Sequence, residues 1–414
     1  MRVVLINTGT ELLLGDVQDA HLAFIARQMF PLGLRIDEQR IVPDGAAIHD
    51  ALMQAFSSAD IVFVTGGLGP TTDDITREVV AALLGLELVP DQQVLAAITE
   101  RLSKRRVRMT DRIPRQSQVP TGARVLPNEN GTAPGLYLHA KINPMLQSPH
   151  LFVLPGPPRE LQPLFRDSVM SILREIVKTP SAIERRLYKI ADRGESLIEQ
   201  AIGEKVLAIP GIELGYCARP GEAEVRVIGE AHAVAKADEI IKSALGLSIF
   251  STSEENMEEV IVRLLTERRE TLALAESCTG GLLANRITNV PGASVVFLAG
   301  YIPYANEAKI DILNIDSSLI EQTGAVSEPV ARAMAEAARV CARSTYALAT
   351  TGIAGPSGGS TEKPMGTVYV ALAAAGSETI AKKFFFPSDR ETFKELTAQA
   401  AFDLLRRKML STAQ

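Results

Sequence analysis

Three short apolar runs in the first part of the chain, VVLIN (3–7), IVFVT (61–65) and LFVLP (151–155), each run into a glycine-containing turn. Uninterrupted apolar runs of this length, without polar alternation, read as parallel strands covered on both faces. Helical patterns fill the intervals at about 18–32, 46–57, 73–84 and 91–104. Strand and helix in alternation predict a mostly parallel sheet whose ligand crevice lies beyond the carboxyl ends of its strands.

The 414 residues exceed what one ordinary core organises, and the rhythm changes twice. From about 176 to 250, LYKIA, the helical ESLIEQAIGEKV, IELGYCA, an Arg-Pro-Gly-Glu turn and EVRVIG describe a small α+β unit. STSEEN (251–256) supplies a boundary and a helix N-cap through Ser253. From 255 to 414 α/β character returns, with strands in TLALA, VVFLAG, YALAT and GTVYVALA and helices near 280–288, 327–341 and 389–407. The fold class expected is therefore multidomain α/β, divided as 1–175, 176–250 and 255–414. A formal net charge of -6 offers nucleic acid no general attraction, and three scattered cysteines make no disulfide framework. No apolar run is long enough to span a membrane, and the N-terminus lacks a signal-peptide pattern, so a cytoplasmic protein is expected.

In VTGGLGPTTDDITREVV (64–80), Gly66, Gly67 and Gly69 let the backbone turn closely after a strand, while Thr71 can cap the next helix. Backbone N–H groups of such a loop suit phosphate, and Asp73 and Asp74 then require a cation, with Asp74 as its ligand. A plain strand-to-helix turn with helix-terminal acids is the competing reading. Glu11, Asp16 and Asp19, and then Arg159 and Glu160, fall near the ends of other strands. The basic run 101–115, with seven Lys/Arg and one Asp, reads as a solvated loop, a ligand contact or a nucleic-acid contact. It lacks the interleaved aromatic residues of a single-strand platform.

LAESCTGGLLANR (274–286) carries Ser277 to the exit of a strand, beside Cys278 and Thr279 and before Gly280 and Gly281. The turn's N–H groups suit an oxyanion or a phosphate. A serine needs a base, and the last histidine of the chain is His232, so no histidine of this segment serves. Tyr304 and Lys309 in YANEAK offer a relay and, if burial keeps the amine neutral, a base. An ordinary exposed lysine is the alternative, and Cys278 is the rival nucleophile or a packing residue. ATTGIAGPSGGSTEKPMGTVYV (349–370), with Lys363, can wrap a ribose phosphate, and Arg390 and Lys394 lie one helical turn apart.

GTELLLG, GGLGPTTDDIT, NGTAPG and LPGPPREL together resemble the molybdopterin-binding fold domain that opens CinA proteins, the competence- and damage-inducible protein A family. KIADRGESLIEQAIG with ARPGEAEVRV is similar to that family's KH-like middle domain, without a GXXG clamp. AESCTGGLLANRITNVPGAS, YANEAK, TGIAGPSGGSTEKPMGTVYVA and SDRETFKE resemble its C-terminal domain, which also occurs alone as nicotinamide-nucleotide amidase. The resemblance implies a metal-free amidase that converts nicotinamide mononucleotide to nicotinic acid mononucleotide and ammonia. Ser277 would be its nucleophile and Tyr304 and Lys309 its partners. Thr351, Gly352, Ala354 and Gly355 would border substrate, with Arg390 at the phosphate and Lys394 where the family often has arginine. For the N-terminal domain it implies divalent-metal-dependent ADP-ribose pyrophosphatase activity, and for the whole chain a homodimer. One departure stands in that domain: where the family usually has an Asn/Asp-Thr-Asn triplet, this chain has Asp19, Ala20 and His21. His21 is then either a replacement ligand or a histidine on a helix surface.

Overall fold

The computed structural model describes residues 1–104, 106, 113–178 and 183–411, and the chain divides into two compact units, 1–182 and 183–414. Of the basic run expected at 101–115, residues 105 and 107–112 lie outside the described residues. Of its flanks, Lys104 pairs with Glu100 at 2.6 Å and Arg115 with Glu78 at 2.8 Å, while Arg101 donates to the Glu129 carbonyl.

The first unit holds β1 (Val3–Thr8), β2 (Glu38–Val42), β3 (Ile61–Thr65), β4 (Leu88–Pro90), β5 (Gln118–Pro120), β6 (Arg124–Leu126), β7 (Gly135–Leu138) and β8 (His150–Leu154). Its main sheet runs β2-β1-β3-β8-β7-β6, parallel through β8 and antiparallel beyond it. Every residue of β1 and β3 is buried, because helices cover both faces and alternate side chains enter different cores. Val4 and Ile6 pack on one side, Val3 and Leu5 on the other. Neighbours β2 and β3 flank β1, so the loops after β1 and β3 leave from a switch point, where a crevice opens.

In the second unit β9 (Ile183–Ala191), β10 (Glu213–Arg219), β11 (Glu222–Glu230) and β12 (Ile249–Ser251) form an antiparallel sheet ordered β10-β11-β9-β12. The expected hairpin is present: Arg219 pairs with Glu222 across Pro220 and Gly221. The helix that follows β12 starts later than expected. Asn256, not Ser253, is its N-cap, with the Glu259 carboxylate accepting the Asn256 N–H at 2.6 Å, while Ser253 bonds to Ser251 and Glu255. A glutamate three residues after Asn256 completes a capping box that Ser253 cannot form.

A five-stranded sheet follows, of β13 (Leu272–Glu276), β14 (Phe297–Tyr301), β15 (Tyr346–Gly352), β16 (Thr367–Ala374) and β17 (Ile380–Phe385), ordered β14-β13-β15-β16-β17. The first three are parallel and the last two antiparallel. Leu272 and Leu274 face one core and Ala273 and Ala275 the other. Alanines at 347, 349, 371 and 373 extend that second face, so the alanine-rich helix Glu328–Ala342 can approach closely. Here β13 is the switch point, and the turn after it lies between the ends of β14 and β15. No helix among the described residues is long and apolar enough to cross a membrane.

Candidate active site

The turn after β13 brings together residues that the sequence separates by about thirty positions. Lys309, near the start of the helix Asn306–Leu313, is 1 % exposed, and its Nζ lies 3.2 Å from Ser277 Oγ. It also donates to the carbonyls of Pro303 at 2.9 Å and Tyr304 at 3.1 Å. Burial lowers the pKa of this amine below the ordinary lysine value, with Cys278 and Glu307 opposing. A neutral amine has two N–H donors and one lone pair. With the two carbonyls taking the donors, the lone pair is left for the Ser277 hydroxyl.

Cys278 is buried, and desolvation pushes its thiol up to about 12, partly offset by a hydrogen bond to Thr350. At neutral pH it is a protonated packing side chain. Thr279 is also buried, its hydroxyl 2.7 Å from that of Thr350. The turn's N–H groups are less open than its glycines suggest. Gly280 donates to the Ser277 carbonyl at 3.2 Å and Gly281 to Glu276 Oε2 at 3.0 Å. Among the described residues, the N–H groups of Cys278 and Thr279 make no backbone–backbone hydrogen bond, the Cys278 N–H lying beside its own thiol, and these two are the candidates for an oxyanion.

Tyr304 departs from the expected relay. Its side chain is 58 % exposed and its hydroxyl accepts from Arg390 at 2.7 Å; it is the backbone carbonyl of Tyr304 that meets Lys309. A tyrosine five residues before the lysine places its main chain, not its phenol, at the amine. Arg390 also donates to the Gly355 carbonyl at 2.7 Å, which clasps the loops after β14 and β15. Lys394 reaches toward the turn, its Nζ 4.0 Å from where a Cβ at Gly280 would sit. Thr351 donates to the Ala325 carbonyl at 2.8 Å and Ala354 is buried. Gly352 pairs with Val368 inside the sheet, where a Cβ would press on the Thr367 carbonyl at 2.8 Å. Lys363 donates to the Thr323 carbonyl at 2.7 Å.

In the first unit Gly66, Gly67, Gly69 and Asp74 line a cavity of about 510 Å³ together with Glu11, Asp44, Asp73 and Glu160. Gly66 has φ +100°, and a Cβ there would meet the Thr8 carbonyl at 2.6 Å, so the close turn requires glycine. Asp74 accepts the Thr71 N–H at 2.9 Å and also its hydroxyl. Burial, with Glu11, Asp73 and Asp74 nearby, raises the Asp44 pKa. The lining has no Lys or Arg, yet no three His, Cys, Asp or Glu among the described residues stand close enough to hold an ion. Such a donor set fits a cation that arrives with phosphate oxygens rather than a preformed protein cage.

His21 is not on a helix surface. It is 8 % exposed, with Nδ1 3.1 Å from Asn7 Nδ2 and 3.2 Å from Thr65 Oγ1. Asp19 accepts the His21 N–H at 2.8 Å and the Gln39 amide at 2.6 Å. Burial lowers the imidazole pKa. Asp19 and His21 thus tie the carboxyl ends of β1 and β3 to Gln39 near the start of β2.

A molybdopterin-type α/β layer, a small antiparallel sheet and a second α/β layer with a buried serine–lysine pair define a class of multidomain α/β protein. Residues 4–175 match the family described as probable molybdopterin binding domain, and 254–409 the CinA C-terminal domain. A CinA-like protein from Akkermansia muciniphila is 39 % identical over 97 % of this chain and 96 % of its own. A relative from Caldicellulosiruptor bescii, named as a competence-damage inducible protein, is 39 % identical over 98 % of both chains. The competence/damage inducible protein CihA from Agrobacterium tumefaciens, a crystal structure, is 33 % identical, covering 38 % of this chain and 98 % of its own, with a TM-score of 0.36. The chain belongs to the CinA family.

Proposed function

We propose that the C-terminal domain hydrolyses the carboxamide of nicotinamide mononucleotide, giving nicotinic acid mononucleotide and ammonia. The observation that carries this reading is the buried Lys309 amine, with two backbone carbonyls on its donors and Ser277 Oγ at 3.2 Å. The Ser277 proton passes directly to Lys309 as Oγ attacks the amide carbon. The N–H groups of Cys278 and Thr279 take the developing oxyanion. The C–N bond breaks as Lys309 returns the proton to the departing nitrogen, which leaves as ammonia. Water then adds to the ester with Lys309 again as base, and the Ser277 oxygen leaves with the proton. Arg390 and Lys394 meet the phosphate, and Tyr304 orients Arg390.

Ser277→Ala is expected to release no ammonia from nicotinamide mononucleotide while unfolding at the wild-type temperature, with or without chelator. Normal turnover by that variant would refute the assignment.

For the N-terminal domain the reading is a binding module for a phosphorylated ligand. Its support is the Asp19–His21 pair: the Asp19 carboxylate and His21 Nδ1 are taken by Asn7, Thr65, Gln39 and the helix start, which leaves only the buried His21 Nε2 without a hydrogen-bond partner. Asp74 would hold a divalent cation brought with the phosphate, whose oxygens complete the donor set, and the cation would supply charge neutralisation. Metal-dependent release of AMP from ADP-ribose by the full chain, lost in Asp74→Ala, would replace this reading with the pyrophosphatase. Residues 183–251 are read as KH-like in fold alone, since the segment has no GXXG clamp. A homodimer in the cytoplasm is proposed on the resemblance.

A further inference from the structure

Glu276 ends β13 directly before the nucleophile and is 1 % exposed, a depth at which a carboxylate must be paired. Its partners are backbone amides of the following turn and helix. Oε2 accepts from Gly281 at 3.0 Å and Leu283 at 3.1 Å, and Oε1 from Ala284 at 2.9 Å. These are among the orphan donors at the start of the helix Leu282–Thr288, which has no side-chain cap of its own. A helix start of this kind attracts anions, and here the chain supplies the anion from the preceding strand.

Two consequences meet at Ser277. Residues 277–280 are bridged by one side chain whose two ends are the last residue of a fully buried strand and the first turn of a helix. Ser277 itself is held to β15, its N–H donating to the Thr350 carbonyl at 2.9 Å. The bridge also occupies the Gly281, Leu283 and Ala284 donors, so within the turn the N–H groups that can face an oxyanion are those of Cys278 and Thr279.

We infer that Glu276 is the positioning residue of the amidase site, its carboxylate bridging β13 to the following helix so that the turn holds Ser277 and the oxyanion donors in register. This rests on the serine–lysine reading above. Glu276→Gln keeps the size but leaves one acceptor oxygen and turns an NH₂ toward the amides, so at least one of the three bonds is lost.

The test uses the full chain and three measurements. Amide hydrogen exchange at Gly281, Leu283 and Ala284 is expected to accelerate in Glu276→Gln, and unchanged exchange would overturn the bridge. Labelling of Ser277 by a fluorophosphonate, which needs nucleophile and oxyanion donors but not the natural substrate, is expected to slow by about 100-fold. With nicotinamide mononucleotide, kcat is expected to fall by a similar factor, with KM and the midpoint of the pH–rate curve unmoved. Glu276 is not among the groups that set the Lys309 pKa. A wild-type labelling rate, or a fall in activity that merely tracks loss of folded protein by circular dichroism, would refute positioning. Should Glu276→Gln fail to fold, Glu276→Asp, which retains both oxygens on a shorter arm, takes its place with the same criteria. If the wild type releases no ammonia from nicotinamide mononucleotide, the substrate assignment fails while exchange and labelling still decide the role of Glu276.

Discussion

Lys309 has the environment of a base, and its charge state sets a pH dependence. The working form is the neutral amine, so the rate must rise with pH and level off above the Lys309 pKa. Because burial lowers that pKa, the half-maximal point of kcat/KM against pH is expected below the ordinary lysine value. A midpoint at or above that value would show that Lys309 does not act as a neutral base. Cys278 gives the complementary case. With its thiol at about 12, Cys278→Ala is expected to keep ammonia release within about threefold, and to cost roughly 1 kcal/mol of stability as a small cavity opens. Parallel measurements of turnover and urea unfolding check both halves. The Ser277 and Cys278 alternatives stand side by side in the sequence. What separates them is depth and partner, and only the fold brings Lys309 to one of them. Glu276 was out of reach for a related reason. Its donors are backbone amides five to eight residues ahead, and hydrophobic periodicity carries no signal for a side chain that caps a helix from the preceding strand.

At the scale of elements, the close seat of the helix Glu328–Ala342 on the sheet depends on small side chains at both surfaces. Ala331, Ala335 and Ala338 lie against Ala273, Ala275, Ala347 and Ala349 in one core. Ala335→Leu should therefore overpack this layer and destabilise the protein by about 1–3 kcal/mol, read as a lowered urea midpoint. Leucine at the exposed Glu336 position gives the control, with little change. The same packing explains which elements were legible. β1, β3, β13 and β15 are buried through almost their whole length, so each appears as an apolar run that ends at a loop. The edge strand β17, IAKKFF, carries two lysines and alternates weakly, and β4, β5 and β6 are three residues each, too short for a period to show. His21 fails for another reason: the first residue of a helix looks amphipathically placed, yet here its ring is swallowed by the ends of β1 and β3.

At the scale of the molecule, the second unit joins its antiparallel sheet to the helix Arg390–Ser411, which also carries Arg390 and Lys394. Arg406, 2 % exposed, donates to the Leu247 carbonyl at 2.6 Å and pairs with Asp403 at 2.6 Å. Lys189, also buried, donates to the Glu254 carbonyl at 3.0 Å and to Asn256 at 2.7 Å. At the hairpin tip a Cβ on Gly221 would press on Gln399 at 2.8 Å, and Gln399 in turn accepts from Arg286, on the helix after the nucleophile turn, at 2.8 Å. The sheet of residues 183–251 is thus a backing for two helices that border the site. A fragment that begins at 183 keeps every one of these contacts and is expected to release ammonia at nearly the full-chain rate. A fragment that begins at 254 strands the Arg406 guanidinium and the Arg286–Gln399 pair at a new surface. Losing the bonds from Arg406 and around Lys189, at about 1 kcal/mol each, should lower its stability by about 2–4 kcal/mol. Arg406→Ala in the full chain isolates one part of that loss, about 1–3 kcal/mol. Urea unfolding of the two fragments beside the full chain provides the measurement. Equal midpoints for both fragments would show that the 183–251 sheet contributes nothing to the amidase layer.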